Sequence, residues 1–578
     1  MRPGIAAACG GGPQCHDDCP AAQALECVGA KVKICTPDVA GCLNWSVPTT
    51  CGGSRFCEGA TNTCVTCTPQ CNAVGSTQCS GAQLQTCGVD ANGCLALSSA
   101  DCPAGQACDA AVGHCATVPV VCPAGLLHVT AASSPAGPAS DPGSCQRPVR
   151  PSALPAAQVQ HFGTRTVGET VTFAIPPGTG GFSIVSQAVN ASTADLTVHS
   201  GSSQFTVPNS VVPLLVKAPD GSIFYDDNAA VPADEARALA AYGGVSPTTG
   251  SFTLPNTSAG LAAFAAGVTP GSWSFVVGDF AAECAALGPA TCSSGASTTS
   301  TYDVSVITRP GPVPAAGRID LAIYLVTGAF TAAAAVTDPG MARMLSTLAL
   351  LYSRAGLCLG DVTFHDVSAW AKARYSTGVD AERTGPCDDL DQMFTLSAPG
   401  NTLNIFLVDD ITQGTGGGVG TVVGIDGTIP GPSSFGGTVH SGAIVNAADL
   451  GHGVCGGPPS FLRCGSDGVA YIVAHEGGHW MGLYHTTESL GDSFDPLSDT
   501  GTCRCTVCAP AALQAQCSAN NPTLQPGQVP TQVTGTSCNK GGACDGAQYL
   551  MFWLIDQTSV GSVSTQQGQV VRANPVVQ

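Results

Sequence analysis

The chain has 578 residues, 44% hydrophobic and only 10% charged, with 72 glycines and 41 prolines. Its length asks for several domains, and this composition favours strands and loops with Ser, Thr and Asn surfaces. A formal net charge of −20 argues against nucleic acid and against an anionic membrane surface as partner, and serves solubility. The 31 cysteines call for an oxidising compartment and disulfides. No stretch is long and apolar enough to span a bilayer.

In chain order, residues 1–14 come first, with Met1-Arg2-Pro3-Gly4-Ile5-Ala6-Ala7-Ala8-Cys9-Gly10-Gly11-Gly12. Small residues before a cysteine, then a glycine run, resemble the end of a bacterial lipoprotein signal whose apolar part was lost to a misplaced start. The resemblance implies a lipid on Cys9, a membrane tether, and a secreted or cell-surface protein. The alternative is a free thiol at Cys9. Setting Cys9 aside leaves an even 30 of the 31 cysteines to pair.

Residues 15–66 and 67–115 are a tandem repeat. Cysteines 15, 19, 27, 35, 42, 51, 57 and 64 are followed by 67, 71, 79, 87, 94, 102, 108 and 115 with nearly the same gaps. Such self-similarity means one small unit duplicated, each held by four bridges in place of a core too small to fold alone. Eight cysteines allow about 105 pairings, so connectivity stays open. The unit reads as a stalk or adhesion module, or equally as a protease-resistant spacer. Residues 116–155, rich in Ala, Pro and Ser, read as linker, with Cys122 and Cys145 expected to pair.

Residues 156–310 change to short alternating runs: Val171, Phe173 and Ile175; Trp273, Phe275 and Val277; Tyr302, Val304 and Val306. Separated by turn residues, they predict an all-β sandwich. Pro219-Asp220-Gly221 is a turn, and Cys284 with Cys292 can close a small loop. Runs such as Leu214-Leu215-Val216-Lys217 and Gly271-Ser272-Trp273-Ser274-Phe275 resemble the jelly-roll modules that accompany secreted bacterial proteases.

From residue 316 to 578 the register becomes α/β. Strands are expected at 319–326, 362–364, 403–408 and 442–445. Asp338 and Pro339 form an N-cap and N1 pair opening a helix that ends near Gly356. Cys358 with Cys387 and Cys455 with Cys464 read as local bridges. The glycine-rich loop 414–420 lacks the Gly-Lys-Ser/Thr of a phosphate site and reads as a cleft rim. His440 and His452 are isolated histidines in polar loops.

The chemistry lies in His475-Glu476-Gly477-Gly478-His479-Trp480-Met481-Gly482-Leu483-Tyr484-His485, an H-E-x-x-H-x-x-G-x-x-H pattern. Two histidines four apart share a helix face, here the helix expected over 468–482. Gly482 can take the left-handed conformation that ends the helix and returns His485 as a third ligand. Three imidazoles with an open position form the ligand set of a catalytic zinc, and Glu476 is the candidate general base. Glu488 lies too close after His479 to be a ligand from a second helix.

This stretch resembles the metzincin metalloproteases, and among them the pappalysin family with its bacterial cytophagalysin-like members. The likeness covers residues 316–578 and includes Thr486, Gly491-Asp492, Ser498-Asp499-Thr500 and Tyr549-Leu550-Met551-Phe552-Trp553. It implies an α/β catalytic domain with a mixed twisted sheet, zinc held by His475, His479 and His485, Glu476 as base, and Met551 as the Met-turn methionine. Trp553 stands where family members often carry a tyrosine that steadies the oxyanion, with Tyr484 and Tyr549 as substitutes. Family members can bind calcium near the site, for which Asp492, Asp495 and Asp499 are candidates. Substrate is expected to be an extended peptide paired with an edge strand at 443–445. Cys503, Cys505, Cys508, Cys517, Cys538 and Cys544 read as three structural bridges in an insertion. Ser564 with Gln567 resembles a capping box. The expectation is a zinc endopeptidase acting on extracellular proteins. The alternative is a surface adhesion protein with a residual metzincin domain.

Overall fold

The computed structural model describes residues 16–578 except 30, 52–54, 73–75, 91–93, 103–105, 110–113, 144–156, 191–195, 201–202, 208, 228–234, 241–248, 288–291, 295–299, 377, 381–386, 399, 401, 413–421, 428–440, 452–464, 489–493, 502–545, 547 and 556–560. Cys9, Cys145, loop 414–420, His440, His452, the pairing of Cys455 with Cys464, Gly491-Asp492 and the six cysteines from Cys503 to Cys544 therefore lie outside the described residues. The chain forms two compact units: one up to Pro103 with Cys108–Cys115, the other Ala104–Ala107 with Ala116–Gln578. Among the described residues no helix is long and apolar enough to cross a membrane.

The first unit is built from short antiparallel strands stapled by bridges. Leu25–Val28 pairs with Lys31–Pro37 in the first repeat; Thr77–Ser80, Gln83–Val89 and Leu95–Asp101 form the sheet of the second. Cys19–Cys35, Cys27–Cys57 and Cys51–Cys64 are matched by Cys71–Cys87, Cys79–Cys108 and Cys102–Cys115. Both repeats thus join their second cysteine to the fourth, third to seventh and sixth to eighth. Cys67–Cys94 adds first to fifth in the second repeat. Among the described residues, the apolar core of the first repeat is little more than Val32, Cys51 and Cys57, so covalent links stand in for burial. This disulfide density fits an extracellular setting.

In the second unit, two four-stranded antiparallel sheets face one another. One runs Gln158–Thr166, Thr301–Arg309, Gly181–Asn190, Thr249–Leu254; the other Thr170–Ile175, Gly271–Asp279, Val211–Lys217, Ile223–Asp226. The alternating residues read from sequence point inward: Phe173, Trp273, Phe275, Tyr302 and Val306 share one core. The 219–221 turn forms as expected, with Gly221 at φ +81° and Ser222 N–H donating to Asp220 Oδ1 at 2.9 Å. Cys284 and Cys292 are bonded.

The C-terminal region is a mixed six-stranded sheet between helices. Its strands are β1 (His128–Ala131), β2 (Gly317–Leu325), β3 (Leu357–Asp366), β4 (Leu403–Val408), β5 (Gly424–Asp426) and β6 (Ala443–Asn446). Their spatial order is β1-β3-β2-β4-β6-β5, all parallel except β5, which runs antiparallel to β6. Ile319, Leu321, Ile323 and Leu325 of β2 face one apolar layer, while Ala322 and Tyr324 face the other. The first layer holds helix α1 (Pro339–Arg354), helix α2 (Gly465–Trp480) and helix α3 (Thr565–Ala573). Asp338 caps α1 by accepting from Met341 N–H at 2.9 Å, and Ser564 and Gln567 complete the capping box of α3.

Three expectations are corrected. The segment read as linker lends β1 to the far edge of this sheet; four residues with no periodicity gave no sign of so distant a partner. Consequently Cys122 is bonded to Cys358 at the start of β3, not to Cys145, and Cys358 is not paired with Cys387. Finally, residues 443–445 are interior: β5 lies outside β6 and forms the edge among the described strands. Three residues are too few for a sequence pattern to reveal.

Candidate metal centre

Helix α2 is anchored before it reaches the site. Asp467 in its first turn is fully buried, where a carboxylate also complements the helix dipole. Arg343 of α1 grips it with two hydrogen bonds of 2.8 and 2.9 Å, and Thr347 adds a third. Further along, two glycines let neighbours touch the helix backbone. A Cβ on Gly477 would sit 2.2 Å from the Tyr352 hydroxyl; one on Gly478 would sit 2.4 Å from Met551 Sδ. Neither position tolerates a side chain unless the core moves.

The helix ends in a Schellman turn. Leu483 N–H donates to Gly478 O at 3.0 Å and Gly482 N–H to His479 O at 2.9 Å, with Gly482 at φ +107°. The turn returns the chain so that His485 meets His475 and His479. Below them, Tyr549 to Phe552 form a tight turn in which Phe552 N–H donates to Tyr549 O at 3.1 Å. Met551 is fully buried there, and its carbonyl accepts from Thr486 N–H at 2.9 Å.

Each imidazole is oriented through Nδ1. His475 donates to Leu550 O at 2.7 Å, His479 to Leu483 O at 2.8 Å, and His485 to Glu488 Oε2 at 3.0 Å. These oxygens only accept, so the proton of each neutral ring sits on Nδ1 and the Nε2 lone pairs are left to converge. His485 Nε2 lies 3.2 Å from that of His475 and 3.0 Å from that of His479. Three lone pairs facing each other so closely repel unless a cation sits among them. Nitrogens in tetrahedral coordination at 2.0–2.1 Å stand about 3.3 Å apart, near the observed spacing. The three histidines can hold a metal ion.

Burial pushes His475 down to about 3 and His479 well below the usual imidazole range, keeping both neutral and able to ligate. Burial likewise pushes Glu476 up to about 8, against the Asp426 backbone N–H that donates to its carboxylate. That N–H belongs to β5. Gly424, two residues earlier, passes so close that a Cβ there would lie 2.7 Å from Glu476 Oε1. Burial works against charge on Glu488, yet the electrostatic pull of the His485 ring and the hydrogen bond from its Nδ1–H hold it below the usual carboxylate range.

The other residues singled out in the sequence lie around this centre in different roles. The Tyr484 hydroxyl donates to Ala240 O at 2.9 Å, and that of Tyr549 to Asp499 O at 3.1 Å. Trp553 Nε1 is buried with no hydrogen-bond partner among the described residues. Asp495 accepts from the Thr500 hydroxyl and the Leu497 backbone, and Asp499 Oδ2 from the Gln566 N–H in the first turn of α3, while Asp495 Oδ2 and Asp499 Oδ1 are buried without a close hydrogen-bond partner among the described residues. Sequence reasoning set Glu488 aside as a ligand and missed it as the acceptor for His485, and it missed Gly424 and Asp426. For Glu488 a signal existed: a carboxylate three residues after the third histidine. No family model matches the chain, and no curated protein matches it.

Proposed function

We propose that the chain is a zinc-dependent endopeptidase of the metzincin type, resembling the pappalysins, that cleaves extracellular proteins. What carries the reading is the convergence of three Nε2 lone pairs, 3.0 and 3.2 Å apart, two of them from the helix that also bears Glu476. Three imidazoles with one open side match catalytic rather than structural zinc. Zinc bound there would polarise the scissile carbonyl and ease loss of a proton from water.

The chain's own residues supply the rest. An extended peptide pairs with the outer side of β5, the edge among the described strands, which brings its carbonyl over Glu476. Glu476, held by Asp426 N–H, takes the proton of the attacking water and delivers it to the leaving amine. With both tyrosine hydroxyls given to backbone carbonyls, Trp553 Nε1–H is the donor left to steady the oxyanion. The buried unpartnered oxygens of Asp495 and Asp499 support a calcium ion between them. The sandwich and repeats deliver the enzyme, with Cys9 as lipid anchor.

Glu476→Gln tests the reading. Cleavage of casein or gelatin is expected to fall at least 100-fold with zinc content retained. Unchanged cleavage by Glu476→Gln would sink the mechanism.

A further inference from the structure

His475 and His479 ride on α2, but His485 stands on the loop after it. That loop is anchored at several points besides the helix. Thr486 N–H binds Met551 O at 2.9 Å and its hydroxyl Gly546 O at 3.3 Å, and Asn574 Nδ2, at the end of α3, binds Met481 O at 2.9 Å. The anchor nearest in sequence before the ligand is the Tyr484 hydroxyl, on Ala240 O at 2.9 Å.

Ala240 does not belong to the α/β region. It is buried in the core of the sandwich, beside Ala238 and Phe252. Its backbone is clamped from within that domain: Asn256, 2% exposed, accepts from Leu239 N–H at 3.2 Å and donates to Leu239 O at 2.7 Å. The same face of the sandwich meets the C-terminal helix. Ser258 Oγ donates to Gln566 Oε1 at 2.6 Å, and Ser258 N–H to Pro496 O at 3.1 Å. Gly181 abuts the Ala573 carbonyl so closely that a Cβ would lie 2.2 Å from it.

We infer that the sandwich sets the position of the third metal ligand, through the line Asn256, Leu239–Ala240 backbone, Tyr484 hydroxyl, His485. Tyr484 is then a positioning residue and Asn256 a second one, more than two hundred positions upstream. The inference rests on the metal reading of the three histidines, and it gives the sandwich a part in the site rather than mere delivery.

The test measures zinc affinity of the full chain by competition with a chromophoric chelator, for wild type, Tyr484→Phe, Asn256→Ala and the double variant. Removing a group that orients a ligand typically weakens metal binding about 10-fold or more. Each single variant is expected to lose about 10-fold, and the double variant no more than either, because both cut one line. Cobalt substituted for zinc is expected to show a changed visible spectrum in both singles. Wild-type affinity in Tyr484→Phe overturns the inference, as does a double variant whose loss is the product of the two. Should Tyr484→Phe fail to fold, a wild-type affinity and cobalt spectrum in Asn256→Ala overturns it alone. If the wild-type chain itself binds no zinc, the metal reading falls instead.

Discussion

Gly424→Ala separates the chemistry of the site from its metal. The new methyl would lie 2.5 Å from Ile472 Cγ2, 2.7 Å from Glu476 Oε1 and 2.9 Å from Glu476 Cγ. Carbon contacts settle near 3.5 Å, so the carboxylate must retreat by about 0.8 Å. Misplacing a reacting group by about 1 Å costs on the order of 100-fold in rate, roughly 2.7 kcal/mol of transition-state stabilisation. The histidines are untouched, so zinc content should stay at one per chain. Overpacking against Ile472 costs about 1–3 kcal/mol, partly offset because alanine is favoured over glycine in a strand by about 0.5–1 kcal/mol. The assay is kcat and KM on a quenched fluorescent peptide, with zinc content and Tm on the same samples. A kcat about 100-fold lower with zinc retained is expected. A wild-type kcat would refute the idea that the β5 backbone fixes Glu476.

Glu488→Ala leaves His485 Nδ1 without its acceptor and should weaken zinc binding about 10- to 100-fold, read by chelator competition; unchanged affinity would remove Glu488 from the site. Asp495 is pushed up to about 7, first by burial and then by the charge of Asp499. Its neutral form is favoured by folding, so that contribution to stability is complete below about pH 4 and fades as pH rises through about 7. Calcium should therefore raise Tm at pH 8 much more than at pH 5, and equal Tm values with and without calcium at pH 8 would rule out a site there. Replacing Cys122 and Cys358 by serine opens a loop of sequence separation 236 and should cost about 5 kcal/mol, seen as a lower guanidinium midpoint. A midpoint equal to wild type would mean that β1 holds without the bridge.

What could be read in the sequence was what depends on near neighbours. The spacing of His475, His479 and Gly482 fixed a helix face and a left-handed turn, and the structure has both. Asp338-Pro339 marked the start of α1, and the alternation of Val171, Phe173 and Ile175 marked a sandwich strand, because cap and pleat are local geometry. What could not be read depends on partners far along the chain. β1 and β5 have four and three residues, and they matter only through the strand beside them. The Cys122–Cys358 bridge follows from β1, so it was hidden with it. Tyr484 was named as a substitute oxyanion donor, but its hydroxyl faces a carbonyl that no spacing rule connects to it.

The placing of β1 bears on the order of events during synthesis. His128–Ala131 emerges early, yet its partner β3 begins at Leu357, after the whole sandwich has been made. At the other end, Arg318 exchanges backbone hydrogen bonds of 2.8 and 2.9 Å with Gln578. The sheet on which the histidine-bearing helix packs is thus closed by segments some 450 residues apart, which a ribosome takes roughly half a minute or more to deliver. The carbonyl that orients His475 belongs to Leu550 and also arrives late. A nascent chain can complete its repeats and sandwich while it holds no formed metal centre, so any peptidase activity is born only after nearly everything else has folded.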